Sequence, residues 1–220
     1  ILRACDRARA LEDALVIVTS DHGEHLGEHG LADHQGSLHE ELVNCPCALI
    51  APTLGPRATI LGQFQHTDLL ATICNYIGVP ATGYAPRHTP LDILDPANHA
   101  QGHEHAFMQW RSWGPRQLRD LQRRNPHFDF APLTRDLVGV RTRHWKYVMD
   151  CEGAEALHDL RADQGELQDV SASHPGRLRL LQTRLQQWLL SISEYLGQRA
   201  PRHRATEAVV ESRLRDLGYR

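Results

Sequence analysis

The hydrophobic and polar positions along the chain fall into two textures. In the first, Ala14-Leu15-Val16-Ile17-Val18-Thr19 is a continuous apolar, β-branched run, the pattern of a strand buried on both faces of a parallel sheet. Cys47-Ala48-Leu49-Ile50-Ala51 repeats the pattern and runs into turn residues Pro52 to Pro56. Helical spacing surrounds these runs. Residues 1–12 suit the tail of an amphipathic helix with Leu2, Ala8 and Leu11 as candidate buried positions. Ser37-Leu38-His39-Glu40 fits a capping box opening a short helix. His66 or Thr67 caps a helix through Asp68, Leu69, Leu70, Ile73 and Ile77, with Gly78 as its stop. This order predicts α/β layering over residues 1–83. Ser20 onward then lies at the carboxyl end of a strand, where open α/β sheets bind ligands.

The second texture begins near residue 84. Pro, His, Arg and Gly dominate through Pro132, which predicts an irregular insertion over 84–136 containing a helix near Gln117 to Arg124. Leu137-Val138-Gly139-Val140-Arg141 and Trp145-Lys146-Tyr147-Val148 flank Thr142-Arg143-His144 with hairpin spacing. Ala156 to Leu160 reads as a third strand. Leu178, Leu181, Leu185, Trp188, Leu189 and Ile192 line one face of a helix, and Val209, Val210, Leu214 and Leu217 mark a last one ending at Gly218. Residues 137–220 are thus predicted to form a small subdomain of antiparallel sheet plus helix.

Composition narrows the function classes. The 41% apolar and 23% charged shares are those of a globular chain. A net charge of -3 and the lack of a Lys/Arg block give no electrostatic reason to expect nucleic acid or a membrane surface. No apolar run reaches the roughly eighteen residues that suggest a bilayer span. The five cysteines, Cys5, Cys45, Cys47, Cys74 and Cys151, are too scattered for a disulfide framework and read as packing thiols. Ile1 opens in mid-pattern, without Met or a signal segment, and the chain is expected to be cut at its amino end. Localisation is left open.

The chemistry concentrates in Ser20-Asp21-His22-Gly23-Glu24-His25-Leu26-Gly27-Glu28-His29-Gly30, where nine of eleven residues are Gly, His or acidic. Three glycines weaken any helix here, and polar groups directly after a buried run need partners. A plain solvated loop is the competing reading. An aspartate and an imidazole side by side suit a divalent cation, Zn or Mn and less readily Ca. His25-Leu26-Gly27-Glu28-His29 also fits the His-x-x-Glu-His pattern of inverted zinc peptidases. That pattern requires a helix, and Gly23, Gly27 and Gly30 argue against one.

Taken in order, these segments resemble the sulfatase family of the alkaline phosphatase-like superfamily. The matching residues are Val18 to Glu24, Gly27 to Leu31, Ser37 to Glu41 with Pro46, Gln65 to Leu70, and Asn75 to Pro80. Further along they are the Arg141-Thr142…Lys146-Tyr147 hairpin, Leu157 to Leu160 with Asp163, Gly165 and Glu166, and Leu214 to Tyr219. The resemblance covers most of the chain except roughly 84–136. It implies an alkaline phosphatase-like layered sheet, incomplete at its amino end, and hydrolysis of a small-molecule or carbohydrate sulfate ester.

The resemblance also implies roles. Asp21 and His22 are the expected ligands of a divalent cation (Ca, Mn or Zn). His34 stands thirteen positions beyond Asp21, where the family usually places a sulfate-contacting Lys, and is the expected substrate contact. His25 and His29 are expected to support the loop or line the pocket entrance. The family nucleophile is a formylglycine made from a Cys/Ser-x-Pro/Ala-x-Arg motif. None of the five cysteines sits in one, so the nucleophile, like the paired acidic ligands of the family's first strand, is expected upstream. Three alternatives stay open: a phosphate or phosphonate ester hydrolase, a phosphoethanolamine transferase on the same scaffold, and a catalytically inert fragment or pseudoenzyme. Elsewhere, His103 and His105 read as a solvated pair, Lys146 as a snorkelling strand residue, and Asp68 as a first-turn helix charge. Trp110, Arg111 and Trp113 read as pocket walls or as surface packing.

Overall fold

The computed structural model describes residues 2–7, 9, 11–52, 59–80 and 90–192. The helix over Val209 to Leu217 and its Leu214–Tyr219 ending lie outside these residues, as do Ala8 and the side chain of Leu2. The chain opens with α1 (Leu2–Arg7) and β1 (Val16–Thr19), then a tight hairpin of β2 (His25–Leu26) and β3 (Ala32–Asp33). After these come α2 (Glu40–Val43), β4 (Cys47–Ile50) and α3 (His66–Tyr76). The second half holds β5 (Ala106–Trp110), α4 (Pro115–Arg124), β6 (Leu137–Arg141), β7 (Trp145–Asp150) and β8 (Glu155–Asp159). A further helix, α5, occupies residues 175–192.

Two features of the first half depart from the sequence reading. β1 pairs with β4 antiparallel, Val16 opposite Ile50 and Thr19 opposite Cys47. An apolar run reports burial and not direction. Direction is set by the intervening loop, which returns to the end of β1, where Thr19 Oγ1 donates to the Pro46 carbonyl at 2.8 Å. Nor is the pair covered on both faces, since Val18 and Ile50 are 53% and 55% exposed. Helix starts differ too. Gln65, not His66 or Thr67, caps α3, forming a reciprocal box with Asp68. Ser37 does not cap α2, whose N-cap is His39. Glu40 cannot complete that box because its carboxylate is held by Arg141.

The second half follows its alternation closely. β5-β6-β7-β8 is an antiparallel sheet in sequence order, and β5, from within the predicted insertion, is its edge strand beside β6. Side chains alternate faces along a strand. Trp145 and Tyr147 therefore meet α5, where they join Val140, Leu157, Leu181 and Leu185 in the core. Phe107 stacks on Trp188 at 4.8 Å. Truncating Leu185 would cost about 2–5 kcal/mol by the usual cavity penalty. Lys146 lies between Trp145 and Tyr147 and so faces the other way, toward α2. Its side chain does not snorkel; it is 0% exposed.

The five cysteines are unbridged, with Cys47 and Cys151 exposed rather than packed. Asp68 is more than a helix charge. Fully buried, it accepts the Gln65 and Leu91 amides at 2.7 and 2.9 Å and meets His103 Nε2 at 2.9 Å. The His103–Glu104–His105 segment is correspondingly not a solvated pair: His103 is held by Asp68, and His105 packs toward Phe107.

Candidate functional site

The site is built where β1 ends. Asp21 Oδ1 accepts the His22 amide at 3.0 Å, and His22 Nδ1 lies 2.9 Å from the Gly23 carbonyl. These contacts leave His22 Nε2 3.7 Å from Asp21 Oδ2, an oxygen and a nitrogen donor side by side. The His22 amide, its own amide and the neighbouring imidazole hold the Asp21 carboxyl below its ordinary value. The Gly23 carbonyl raises His22; desolvation is the next largest effect and opposes it, and the Asp21 and Glu24 charges add smaller upward pushes.

Gly23 fixes this pair against the rest of the molecule. Its amide donates to the Leu42 carbonyl at 2.9 Å. A Cβ at that position would stand 1.8 Å from the Glu41 carbonyl oxygen, so only glycine lets the loop reach α2. Beyond it, the β2–β3 hairpin pairs His25 with Asp33. The next positions outward, Glu24 and His34, consequently meet across the hairpin, with Glu24 Oε1 2.9 Å from His34 Nδ1. Asp33 Oδ1 approaches the same nitrogen at 2.6 Å. The His34 ring stacks on His22 with centroids 4.2 Å apart. Tight turning at Gly27, with φ of 128°, excludes the helix that a His-x-x-Glu-His zinc site needs.

Asp21, His22 and His34 thus share one cleft, whose other walls include His66, Trp110 and Arg143. His66 Nε2 contacts the Ser20 carbonyl at 2.8 Å and ties α3 to the loop. His25 and His29 do not line this cleft. His25 is 2% exposed, bonded through Nε2 to Ser37 Oγ at 2.7 Å. Its ring lies edge-on to His29 and His39, which stack on each other at 3.6 Å. Burial and the neighbouring His39 push the His25 pKa down.

The loop's support reaches the second half of the chain through a buried charge cluster. Glu40 is held by the Arg141 guanidinium at 2.9 and 2.8 Å, a fork-to-carboxylate contact. Lys146 Nζ sits 3.3 Å from Glu40 and 2.9 Å from Glu166. Glu166 Oε2 also accepts the Glu40 amide at 2.6 Å and lies 3.6 Å from His39 Nδ1. Burial alone would raise Glu166, but His39, Lys146 and the Glu40 amide bring it down to about 2. Four motif residues far apart in sequence thereby meet, and the Glu40 end of the cluster opens the helix that holds Gly23. Pattern reading found Glu40, Arg141, Lys146 and Glu166 singly, without the pairing. It missed Glu24, although that residue lies inside the His/Asp-rich stretch itself.

One serine version of the nucleophile pattern does occur, Ser173-His174-Pro175-Gly176-Arg177. It begins α5. Ser173 Oγ donates to the Val170 carbonyl, Pro175 is the first helical residue, and Arg177 lies over the Trp145 ring at 5.4 Å. None of these residues lines the cleft.

Comparison with known proteins agrees with this layout. Residues 1–79 match the family model described as Sulfatase. A choline-sulfatase of Rhizobium meliloti is 26% identical over 170 residues, covering 77% of this chain and 29% of its own length. The chain therefore spans less than a third of that relative. Among solved structures, the phosphonate monoester hydrolase of Silicibacter pomeroyi superposes with a TM-score of 0.66 at 19% identity. That alignment covers 89% of this chain and 38% of the other. A protein solved with its substrate D-glucosamine-2-N,6-O-disulfate gives a TM-score of 0.63 at 19% identity, over 88% of this chain and 37% of the other. At such identities these likenesses speak for the alkaline phosphatase-like fold.

Proposed function

We propose that this chain, whose residues 1–79 match the Sulfatase family model, belongs to that family and supplies the Asp21–His22 half of a metal-dependent sulfuric ester hydrolase. The observation that carries the proposal is the placement of Asp21 Oδ2 and His22 Nε2 3.7 Å apart, at the end of β1 and open to the cleft. An oxygen and an imidazole nitrogen in this relation fit a divalent cation. When bound, that cation supplies Lewis-acid stabilisation of charge on the ester's non-bridging oxygens. The formylglycine nucleophile and the remaining acidic ligands are carried outside this sequence.

The residues of the chain divide the remaining work. Asp21, held ionised by backbone amides, would hold the cation, whose positive charge would in turn favour a deprotonated nucleophile. His34, oriented by Glu24 and Asp33, donates to a sulfate oxygen or protonates the leaving alcohol oxygen. Trp110 and Arg143 bound the cleft on the substrate side, an apolar face and a cation suited to a sulfated sugar or small organic sulfate.

The test uses the full-length protein that contains this sequence. Release of p-nitrophenol from its sulfate ester is compared with release from its phosphate and methylphosphonate esters. Asp21→Asn and His22→Ala should each lower sulfate ester turnover by at least about 100-fold, as expected for losing several kcal/mol of charge stabilisation. Undiminished turnover in both variants overturns the assignment. Faster turnover of the methylphosphonate ester keeps the site but moves the substrate class to phosphorus esters.

A further inference from the structure

We propose that the outward face of α4 is a docking strip for a sulfated polysaccharide, placed to hold a polymeric substrate whose sulfate ester reaches the cleft. The inference rests on the reading of that cleft as a sulfuric ester hydrolase site, and it adds a binding surface outside it.

α4 carries Arg116, Arg119, Arg123 and Arg124 against the single acid Asp120, in a chain whose net charge is -3. At 3.6 residues per turn, Arg116, Arg119 and Arg123 fall within roughly 60° of one another around the helix. No contiguous block reveals them along the sequence; helical spacing gathers them. Leu118 and Leu121 lie on the opposite side and are half-buried, whereas all four arginines are exposed. The stripe therefore faces away from the body of the protein. Arg123 lies 3.8 Å from Asp120, both exposed, a contact worth little in water. Among the described residues, no carboxylate pairs with Arg116, Arg119 or Arg124. Arg119 and Arg123, one turn apart, repel and weaken the helix slightly. An anionic chain laid across them removes that repulsion.

Position ties this strip to the cleft. Trp110, the last residue of β5, lines the same cleft as His22 and His34. Only residues 111–114 separate it from α4, so the stripe begins no more than roughly 20 Å from that wall. The connection is pinned. The Ser112 amide donates to Asp136 Oδ1 at 2.6 Å, and the Trp113 amide to the Leu133 carbonyl at 3.1 Å. From Arg116 to Arg123 the stripe rises about 10 Å along the helix axis, which suits a chain of repeated anions better than one small ester. It also lies beyond residues 1–79, the part that matches the family model.

Side-chain chemistry selects the polymer. A guanidinium offers a fork of donors that matches two oxygens of a carboxylate or of a tetrahedral oxyanion, and it stays charged at any working pH. Sulfated sugars present such groups at intervals along a chain. α4 has no aromatic residue between its arginines, and so lacks the stacking platform that single-stranded nucleic acid uses.

The test uses the full-length protein that contains this sequence and a triple variant, Arg116→Gln, Arg119→Gln and Arg123→Gln, whose fold is verified by far-UV circular dichroism. Affinity for fluorescein-labelled heparin is compared with affinity for desulfated heparin and for a single-stranded oligonucleotide of equal charge. Expected are salt-sensitive binding of heparin, weaker binding of its desulfated form, and a loss of about 3- to 100-fold in the variant, the combined effect of three exposed ion pairs. Turnover of p-nitrophenyl sulfate, too small to reach α4, should be unchanged. Equal heparin affinity in wild type and variant overturns the inference, as does equal affinity for the desulfated form. Tighter binding of the oligonucleotide, lost in the same variant, replaces the polysaccharide by nucleic acid. A matching loss of p-nitrophenyl sulfate turnover in the variant also overturns it, because the stripe would then belong to the catalytic cleft. If wild type binds heparin through the stripe yet turns over no p-nitrophenyl sulfate, the hydrolase reading falls and the docking surface stands.

Discussion

Replacing Lys146 by Met removes the cation from between two carboxylates, and its consequence follows from the geometry. Lys146 is 0% exposed, 2.9 Å from Glu166 and 3.3 Å from Glu40. Glu40 keeps Arg141, but Glu166, itself 4% exposed, keeps only the Glu40 amide and His39. Breaking a buried ion pair from one side costs about 3–5 kcal/mol. The pKa of Glu166 gives a second measure. A fall from 4.5 to about 2 on folding corresponds, at 1.36 kcal/mol per unit, to about 3 kcal/mol of stability. Lys146 supplies part of that fall beside His39 and the amide. The pKa route, of which Lys146 is one part, sets a share below about 3 kcal/mol, while the stranded Glu166 charge brings the expected loss for Lys146→Met to about 3 kcal/mol.

The sign of the pH dependence is fixed by the same numbers. A carboxyl lowered in the folded state contributes its full share above its unfolded value of 4.5 and loses it as pH falls toward 2. The difference between wild type and Lys146→Met should therefore be largest at pH 7 and shrink steadily between pH 4.5 and 2. Urea unfolding followed by circular dichroism at pH 7 and pH 3 measures it. Adding Glu166→Gln to Lys146→Met should return part of the loss at pH 7, because the stranded charge is gone. A loss below about 1 kcal/mol at pH 7, or one of equal size at both pH values, would refute the picture of a charge-balanced buried cluster.

Three other substitutions probe separate parts of the argument. Gly23→Ala drives a Cβ into the Glu41 carbonyl; it should destabilise by about 1–3 kcal/mol or more in urea unfolding, and an unchanged midpoint would show that the loop does not depend on α2. Asp68→Ala strips buried partners from the Gln65 and Leu91 amides and from His103, and should lower stability by about 3 kcal/mol, read from thermal unfolding; a change under about 0.5 kcal/mol, typical of a surface site, would return Asp68 to the role of a helix charge. His105 has its pKa lowered by burial, so the unfolded chain takes up the proton first as pH falls below 6.5 and stability declines there. His105→Leu should flatten that decline between pH 7 and 5 in urea midpoints, and an unchanged slope would rule out the buried neutral ring.

Much of this was legible along the chain because it is periodic or local. The alternation in Leu137–Arg141 and Trp145–Asp150 and the one-faced helix carrying Leu181 and Leu185 were readable, since burial on one face leaves a repeat of two or of 3.6 residues. The His/Asp-rich stretch after Val16–Thr19 was readable because glycine, histidine and aspartate at a strand end have few structural uses. Ser37 misled for the opposite reason: a capping box is a local pattern, and here a distant guanidinium outcompetes it for Glu40. Lys146 misled as well, because alternation shows that a residue faces away from the core but not what covers that side.

The sequence by itself therefore determined where strands and helices run, where the donor-rich loop lies and which family patterns it carries. Only the tertiary structure decided that β1 and β4 run antiparallel, that Glu24 faces His34 across the hairpin, and that His25 and His29 turn inward toward His39. It also joined Glu40, Arg141, Lys146 and Glu166 into one cluster. The physical reason is common to all of them. Periodicity and turn chemistry are properties of neighbouring residues, whereas the pairing of charges and the direction of strands depend on which distant segments packing brings within a few ångströms.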